Sequence, residues 1–121
     1  MSYTVLTADD STSIRKMIRF SIQSRGFVVI EAENGREALD LIKRNRVDML
    51  ITDLDMPLVG GLELTRAVRA LKGYDLIPIV ILTTESDRFI KDQAKASGAT
   101  GWITKPFTPK QILSVIDKLI K

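Results

Sequence analysis

A chain of 121 residues, 45% hydrophobic and 27% charged, has the size and balance of one globular domain, and no run approaches the roughly 18 apolar residues that span a bilayer. With no cysteine and no histidine it can hold no disulfide, no thiolate or histidine metal ligand, no His-based triad and no phosphohistidine, so reactive chemistry falls to Asp, Glu, Lys, Thr, Ser or Tyr. The net charge of +3 comes without an aromatic-interleaved basic stripe, so neither nucleic acid nor membrane is expected as a partner, and without a basic-then-apolar leader the expected location is the cytoplasm.

The first β-rich run, Thr4–Ala8, ends on the acid pair Asp9 and Asp10. Ser11 then stands where a helix N-cap belongs, ahead of a helix over Ser11–Ser24 with Ile14, Met17, Ile18 and Ile22 on one face. A strand at Val28–Ala32 leads to a helix at Arg36–Asn45 carrying Ala38, Leu41 and Ile42. The third strand, Met49–Asp53, runs into "DLDMPLVGG", where Asp53, Asp55, Pro57 and two glycines break the chain before a helix at Leu62–Leu71. A fourth strand is predicted at Ile77–Thr83, followed by a more polar helix at Asp87–Ser97 whose best core residues are Ile90 and Ala94. A fifth strand at Gly101–Thr104 precedes Thr108 as N-cap, Pro109 at the first helical position, and a helix at Lys110–Ile120. Gly26, Gly35, Gly73 and Gly98 fall near helix ends or turns.

Several of the strands are apolar throughout, as strands covered on both faces are. Five βα units with right-handed crossovers predict an α/β fold, a flavodoxin-like (βα)5 three-layer sandwich whose parallel five-stranded sheet has the order 2-1-3-4-5. One domain spans residues 1–121, with no linker, repeat or low-complexity stretch and no output domain expected.

On that map the reactive side chains fall on one edge. Asp9 and Asp10 follow strand 1, Asp53 closes strand 3, Thr83 and Thr84 close strand 4, and Lys105 follows strand 5. All lie at carboxyl ends of parallel strands, beside the switch point where such folds bind ligands. A single Asp in a loop is usually a cap or a solvated turn, but four distant segments converging on one crevice is a pattern that such roles do not produce. Three crowded carboxylates repel one another unless a cation joins them, and hard oxygen donors without His or Cys suit Mg²⁺, or Mn²⁺ in its place. Lys105 supplies a point charge and Thr83 a hydroxyl, which together with a metal stabilise charge on a phosphoryl group in flight. Asp53, at the end of the middle strand, is the best placed nucleophile.

These residues resemble the receiver domain of two-component response regulators, of the CheY-like single-domain kind. The resemblance covers essentially the whole chain and rests on "ADD" (8–10), "ITDLDMP" (51–57), "GGLEL" (60–64), "ILTT" (81–84), "GA" (98–99) and "KPF" (105–107) in this order and spacing. It implies that Asp53 is the phosphoacceptor for a sensor histidine kinase. Asp10 and Asp53 would ligate Mg²⁺ directly, Asp55 through its backbone carbonyl and Asp9 largely through water. Lys105 would pair with Asp53 and then with the phosphoryl group, which the Thr83 hydroxyl and the Thr84 N–H would also bind. Trp102 matches the switch aromatic, so the surface formed by helix 4, strand 5 and helix 5 is the expected output face, and a monomer is expected. The partners implied are the kinase, a downstream protein target such as a flagellar switch, and an auxiliary phosphatase.

The chain departs from the family's usual pattern in three places. Trp102 stands where Tyr or Phe is usual and is larger. Gly60 stands where Asp is usual and still serves as an N-cap. Asp55 occupies a variable position and, with Glu85, flanks the crevice, where both are expected to tune the lifetime of the phosphoryl group. Residues 86–121 hold seven Lys and Arg against three Asp, a net +4 overlapping the expected output face. An acidic partner segment, held in a contact that salt weakens, suits that charge.

Three other readings compete. The Asp-x-Asp at 53–55 also occurs in haloacid-dehalogenase-type phosphatases, but there it lies on the first strand, and a cap insertion is lacking here. A phosphorelay intermediate that passes its phosphate to a histidine phosphotransfer domain would share the same site. A flavodoxin is excluded because acids occupy the loop after strand 1, where a phosphate cradle needs Ser, Thr and Gly. The protein is therefore expected not to be an enzyme beyond self-phosphorylation and autodephosphorylation.

Overall fold

A computed structural model describes residues 3–84 and 88–120 of the chain. Ten elements alternate: β1 (Thr4–Ala8), α1 (Thr12–Gln23), β2 (Val28–Ala32), α2 (Gly35–Arg44), β3 (Met49–Asp53), α3 (Gly61–Ala70), β4 (Ile79–Thr83), α4 (Arg88–Ala96), β5 (Gly101–Thr104) and α5 (Pro109–Leu119). The strands form one parallel sheet in the order β2-β1-β3-β4-β5, as the alternating pattern predicts.

Side chains along each strand point alternately to the two faces, and each face has its own core. Val5, Met49, Ile51, Val80 and Leu82 pack with Ile18 and Ile22 of α1 and Ile112 and Ile116 of α5. Leu6, Leu50 and Ile79 pack on the other face with Ala38 and Ile42 of α2 and Leu64 and Val68 of α3. Each fully buried Leu or Ile contributes about 1.5–3 kcal/mol over an exposed one. These two layers therefore hold the sheet, and the polar groups at its edge are carried on a frame they do not have to stabilise.

Caps set the helix starts. Ser11 accepts from the Ile14 N–H, Asn34 from Glu37, and Thr108 from Gln111, whose side chain closes a capping box with the Thr108 N–H. Pro109 sits in the first turn of α5, where it sacrifices no hydrogen bond. Two expectations are corrected. The fourth strand begins at Ile79 rather than Ile77, because Pro78 has no N–H and joins the ladder only by accepting from the Leu50 N–H at 3.0 Å. Gly35 begins α2 rather than preceding it, and its reason is space: a Cβ there would lie 2.1 Å from the Val59 carbonyl oxygen.

Candidate functional site

The carboxyl ends of β1, β3, β4 and β5 bring the acids and the lysine together. Asp9 is the residue after β1 and is wholly buried. Its N–H donates to the Ala32 carbonyl (3.1 Å), its Oδ1 accepts from the Ser11 N–H (2.9 Å), and its Oδ2 accepts from Lys105 Nζ (3.2 Å). Asp53 ends β3 opposite Leu82 of β4, is 8% exposed, and lies 3.2 Å through Oδ1 from the same Lys105 Nζ. Asp10 is exposed, and one carboxylate oxygen from each of Asp9, Asp10 and Asp53 lies within 4.8 Å of the others. Thr83, buried, ends β4, and its carbonyl accepts from the Lys105 N–H at 2.8 Å, which docks the start of the β5–α5 loop. Thr84 beside it is exposed.

One cation serves two buried carboxylates here, and the electrostatics reflect that. Burial raises the pKa of Asp53 above the ordinary Asp value, and the neighbouring charge of Asp9 raises it further; Lys105 opposes both without cancelling them. Burial alone would lower Lys105, but the charges and hydrogen bonds of Asp9 and Asp53 outweigh it and its pKa is raised. The two shifts have different causes: two carboxylates stabilise the lysine as a cation, whereas burial and the charge of Asp9 outweigh the lysine at Asp53.

The donor set fits a hard divalent cation. Three carboxylates with oxygens this close carry more charge than one lysine neutralises, and the chain has no histidine or cysteine to offer imidazole or thiolate ligands. Oxygen-only sites of this kind suit Mg²⁺ or Mn²⁺.

A raised pKa binds a proton better in the folded than in the unfolded chain, so Asp53 favours folding as pH falls towards its folded pKa and costs stability once ionised above it. Without divalent cations, Asp53→Asn should therefore raise stability near pH 7 by about 1 kcal/mol, or roughly 3–6 °C in Tm. The gain should vanish below about pH 3, where the carboxyl is protonated in both states. Thermal melts of the two proteins across pH check this; a gain that persists at low pH would contradict it.

Asp55 is exposed and lines, with Asp10, Met56, Leu58 and Glu63, an open groove of about 410 Å³ beside the acids. The other residue expected to tune the rate, Glu85, lies outside the described residues. Gly60 is the N-cap of α3 and makes no side-chain cap bond, as a glycine must. Gly61 is tighter: its N–H donates to the Leu54 carbonyl (2.8 Å), and a Cβ would lie 2.3 Å from the carbonyl oxygen of Asp53. Trp102 on β5 is 39% exposed, with Lys91 Nζ of α4 5.2 Å from its ring centroid. Such a cation–π contact contributes about 0.5–1 kcal/mol when exposed.

Two features escape a reading of the sequence. Lys105 bridges Asp9 as well as Asp53. Arg15 of α1, only 7% exposed, donates from Nη1 to the Asp9 carbonyl at 2.6 Å. Its signal in the sequence is spacing, since Arg15 shares a helical stripe with the buried Ile18 and Ile22.

Comparison with known proteins agrees with this geometry. The response regulator receiver domain family matches residues 5–117. A chemotaxis protein CheY homolog of Campylobacter jejuni is 39% identical over 118 residues, covering 96% of this chain and 91% of its own. The chemotaxis protein CheY of Pseudomonas aeruginosa is 32% identical over 118 residues, covering 97% and 95%. Among solved structures, the chemotaxis response regulator CheY4 of Vibrio cholerae superposes with a TM-score of 0.95 at 41% identity, covering 99% of this chain and 100% of its own. Sheet order, acid cluster and these relatives agree: the chain belongs to the response regulator receiver domain family.

Proposed function

We propose that this CheY-like receiver domain is a phosphorylation-controlled switch in which Asp53 accepts a phosphoryl group from the phosphohistidine of a sensor kinase. The observation that carries this reading is Lys105 Nζ lying 3.2 Å from both Asp9 and Asp53 while Asp10 completes a three-carboxylate cluster. A carboxylate oxygen of Asp53 attacks phosphorus, the P–N bond breaks, and its electron pair stays on the imidazole nitrogen of the donor. The product is an acyl phosphate, which water later hydrolyses to inorganic phosphate and the free carboxylate.

Lys105 follows the developing charge from the carboxylate to the phosphoryl oxygens, and the Thr83 hydroxyl and Thr84 N–H add hydrogen bonds to the same group. Asp10, Asp53 and the Asp55 carbonyl would hold Mg²⁺, with Asp9 acting mainly through water, and the ion would supply neutralisation of the charge on the transferring group. Asp55, exposed beside the acids, tunes how long the acyl phosphate lasts, and the same tuning role is assigned to Glu85 from its place in the sequence.

The readout runs through Trp102. With Thr83 drawn to the phosphoryl group, the indole changes rotamer, and the face formed by α4, β5 and α5 changes shape for a protein partner. A half-exposed indole whose cation–π partner is Lys91 supports such a change, since that contact is weak beside the charge-assisted bonds formed at the site. The chemotaxis proteins among the relatives favour a target at the flagellar switch and a cytoplasmic setting.

Trp102 is the single tryptophan of the chain, so its fluorescence tests the switch directly. Emission should change on adding Mg²⁺ with a small phosphodonor or beryllofluoride, and Asp53→Asn should abolish the phosphodonor response. An indole signal indifferent to both additions removes the switch and leaves the fold.

A further inference from the structure

We infer that Arg15 is a positioning residue for the cation site: by holding the Asp9 carbonyl it fixes the peptide joining the two acids and so aims the Asp10 carboxylate into the cluster. The inference rests on the reading of Asp10 and Asp53 as Mg²⁺ ligands given above.

Burying a guanidinium is costly unless its donors are met, and here they are met in a way that fixes its orientation. Nη1 donates to the Asp9 carbonyl (2.6 Å), Nε to Glu31 Oε1 of β2 (3.2 Å), and Nη2 to Thr12 Oγ1 (3.4 Å), with Glu33 Oε1 3.7 Å from Nη2. Glu31 is held in turn by Arg19 Nε. The fork is therefore anchored to a neighbouring strand and to Thr12 of its own helix, and its third hydrogen bond reaches the backbone of the acid pair.

The other contacts of Asp9 fix that residue alone: its N–H goes to Ala32, and its two carboxylate oxygens to Ser11 and Lys105. The contact of Arg15 differs, because the carbonyl it holds belongs to the Asp9–Asp10 peptide plane. Asp10 is exposed and makes no side-chain hydrogen bond among the described residues, so its direction comes from its backbone. Fixing that plane fixes the backbone from which the Asp10 side chain leaves, and so narrows where the third carboxylate of the cluster can reach. Groups that orient metal ligands from behind commonly change metal affinity about 10- to 100-fold when removed.

Charge and positioning predict opposite signs. Were Arg15 only a nearby cation, deleting it would tighten Mg²⁺ binding by relieving repulsion. As a positioning residue, its loss weakens binding.

The test is a calorimetric titration of MgCl₂ into the full chain with no phosphodonor present. Arg15→Met should raise the Mg²⁺ Kd about 10-fold. Arg15→Lys, which keeps the charge but loses the fork, should raise it by less. Asp48→Ala serves as the control, because it removes the acceptor of the Thr4 N–H (2.8 Å) at the opposite end of β1. It should lower Tm and leave the Mg²⁺ Kd unchanged. A Kd in Arg15→Met equal to or below that of the unaltered chain overturns the inference. Should that variant fail to fold, an unchanged Kd in Arg15→Lys does the same. Normal binding in the unaltered chain with an indifferent Arg15 variant sinks this inference alone, whereas an unaltered chain that takes up no Mg²⁺ sinks the metal reading and this inference with it.

Discussion

Lys105→Met should slow phosphoryl uptake at Asp53 from a small phosphodonor by about 100- to 1,000-fold at saturating Mg²⁺, the usual consequence of removing one donor aimed at developing charge. The side chain is 18% exposed, and its ammonium reaches both Asp9 and Asp53 at 3.2 Å. Methionine keeps most of the stem and discards the charge. The Asp53 pKa, already raised by burial and by Asp9, loses its main opposing influence and rises further. Stability should suffer as well. Stripping the partner from buried charges costs about 3–5 kcal/mol where nothing replaces it, and added Mg²⁺ should restore part of that loss. Lys105→Arg is no conservative control, since a planar fork cannot occupy the place of a point charge between two carboxylates. A rate within about threefold of the unaltered protein would mean that Lys105 does not stabilise the transferring group.

Gly61→Ala should cost about 3 kcal/mol, or roughly 10–15 °C in Tm, whereas Gly60→Ala should cost less than about 1 kcal/mol. These neighbours look interchangeable in the sequence. A Cβ at position 61 would meet the Asp53 carbonyl oxygen at 2.3 Å and Leu54 Cα at 3.0 Å, both of them backbone. Neither can rotate away, so either the start of α3 or the end of β3 must shift. At position 60 the nearest atom is the Leu54 carbonyl oxygen at 3.3 Å, a contact that a few tenths of an ångström relieves. Because the displaced backbone belongs to Asp53, phosphoryl uptake should fall in Gly61→Ala even at temperatures where it remains folded. Thermal melts of both alanine variants decide the matter; equal losses would contradict the close approach.

The contrast between these glycines shows where the sequence stops being readable. Strands and helices are legible because burial writes a period into the chain: Val5 and Leu6 belong to opposite faces, and Ile18 and Ile22 to one. The convergence of Asp9, Asp10, Asp53 and Lys105 is legible because a parallel sheet puts all strand ends of one kind on one edge. Gly35 and Gly61 are opaque, since the need for glycine comes from chain passing close in space and not from their own φ. Arg15 is opaque for a related reason. On residue type it is a solvated cation, and only the packing of α1 on β2 and the acid pair makes it a buried one. The contact of Lys91 with Trp102 likewise depends on how α4 lies beside β5, which spacing along the chain does not specify.

Asp53 as the phosphoacceptor is the claim on which the rest depends, and peptide-resolved mass spectrometry of the chain after treatment with Mg²⁺ and a small phosphodonor tests it most directly. One phosphoryl group should appear, on the peptide containing Asp53. It should be lost when the cation is chelated before the donor is added, and it should be absent from Asp53→Asn. A phosphoryl group carried elsewhere, or one retained by Asp53→Asn to the same extent, would contradict the account.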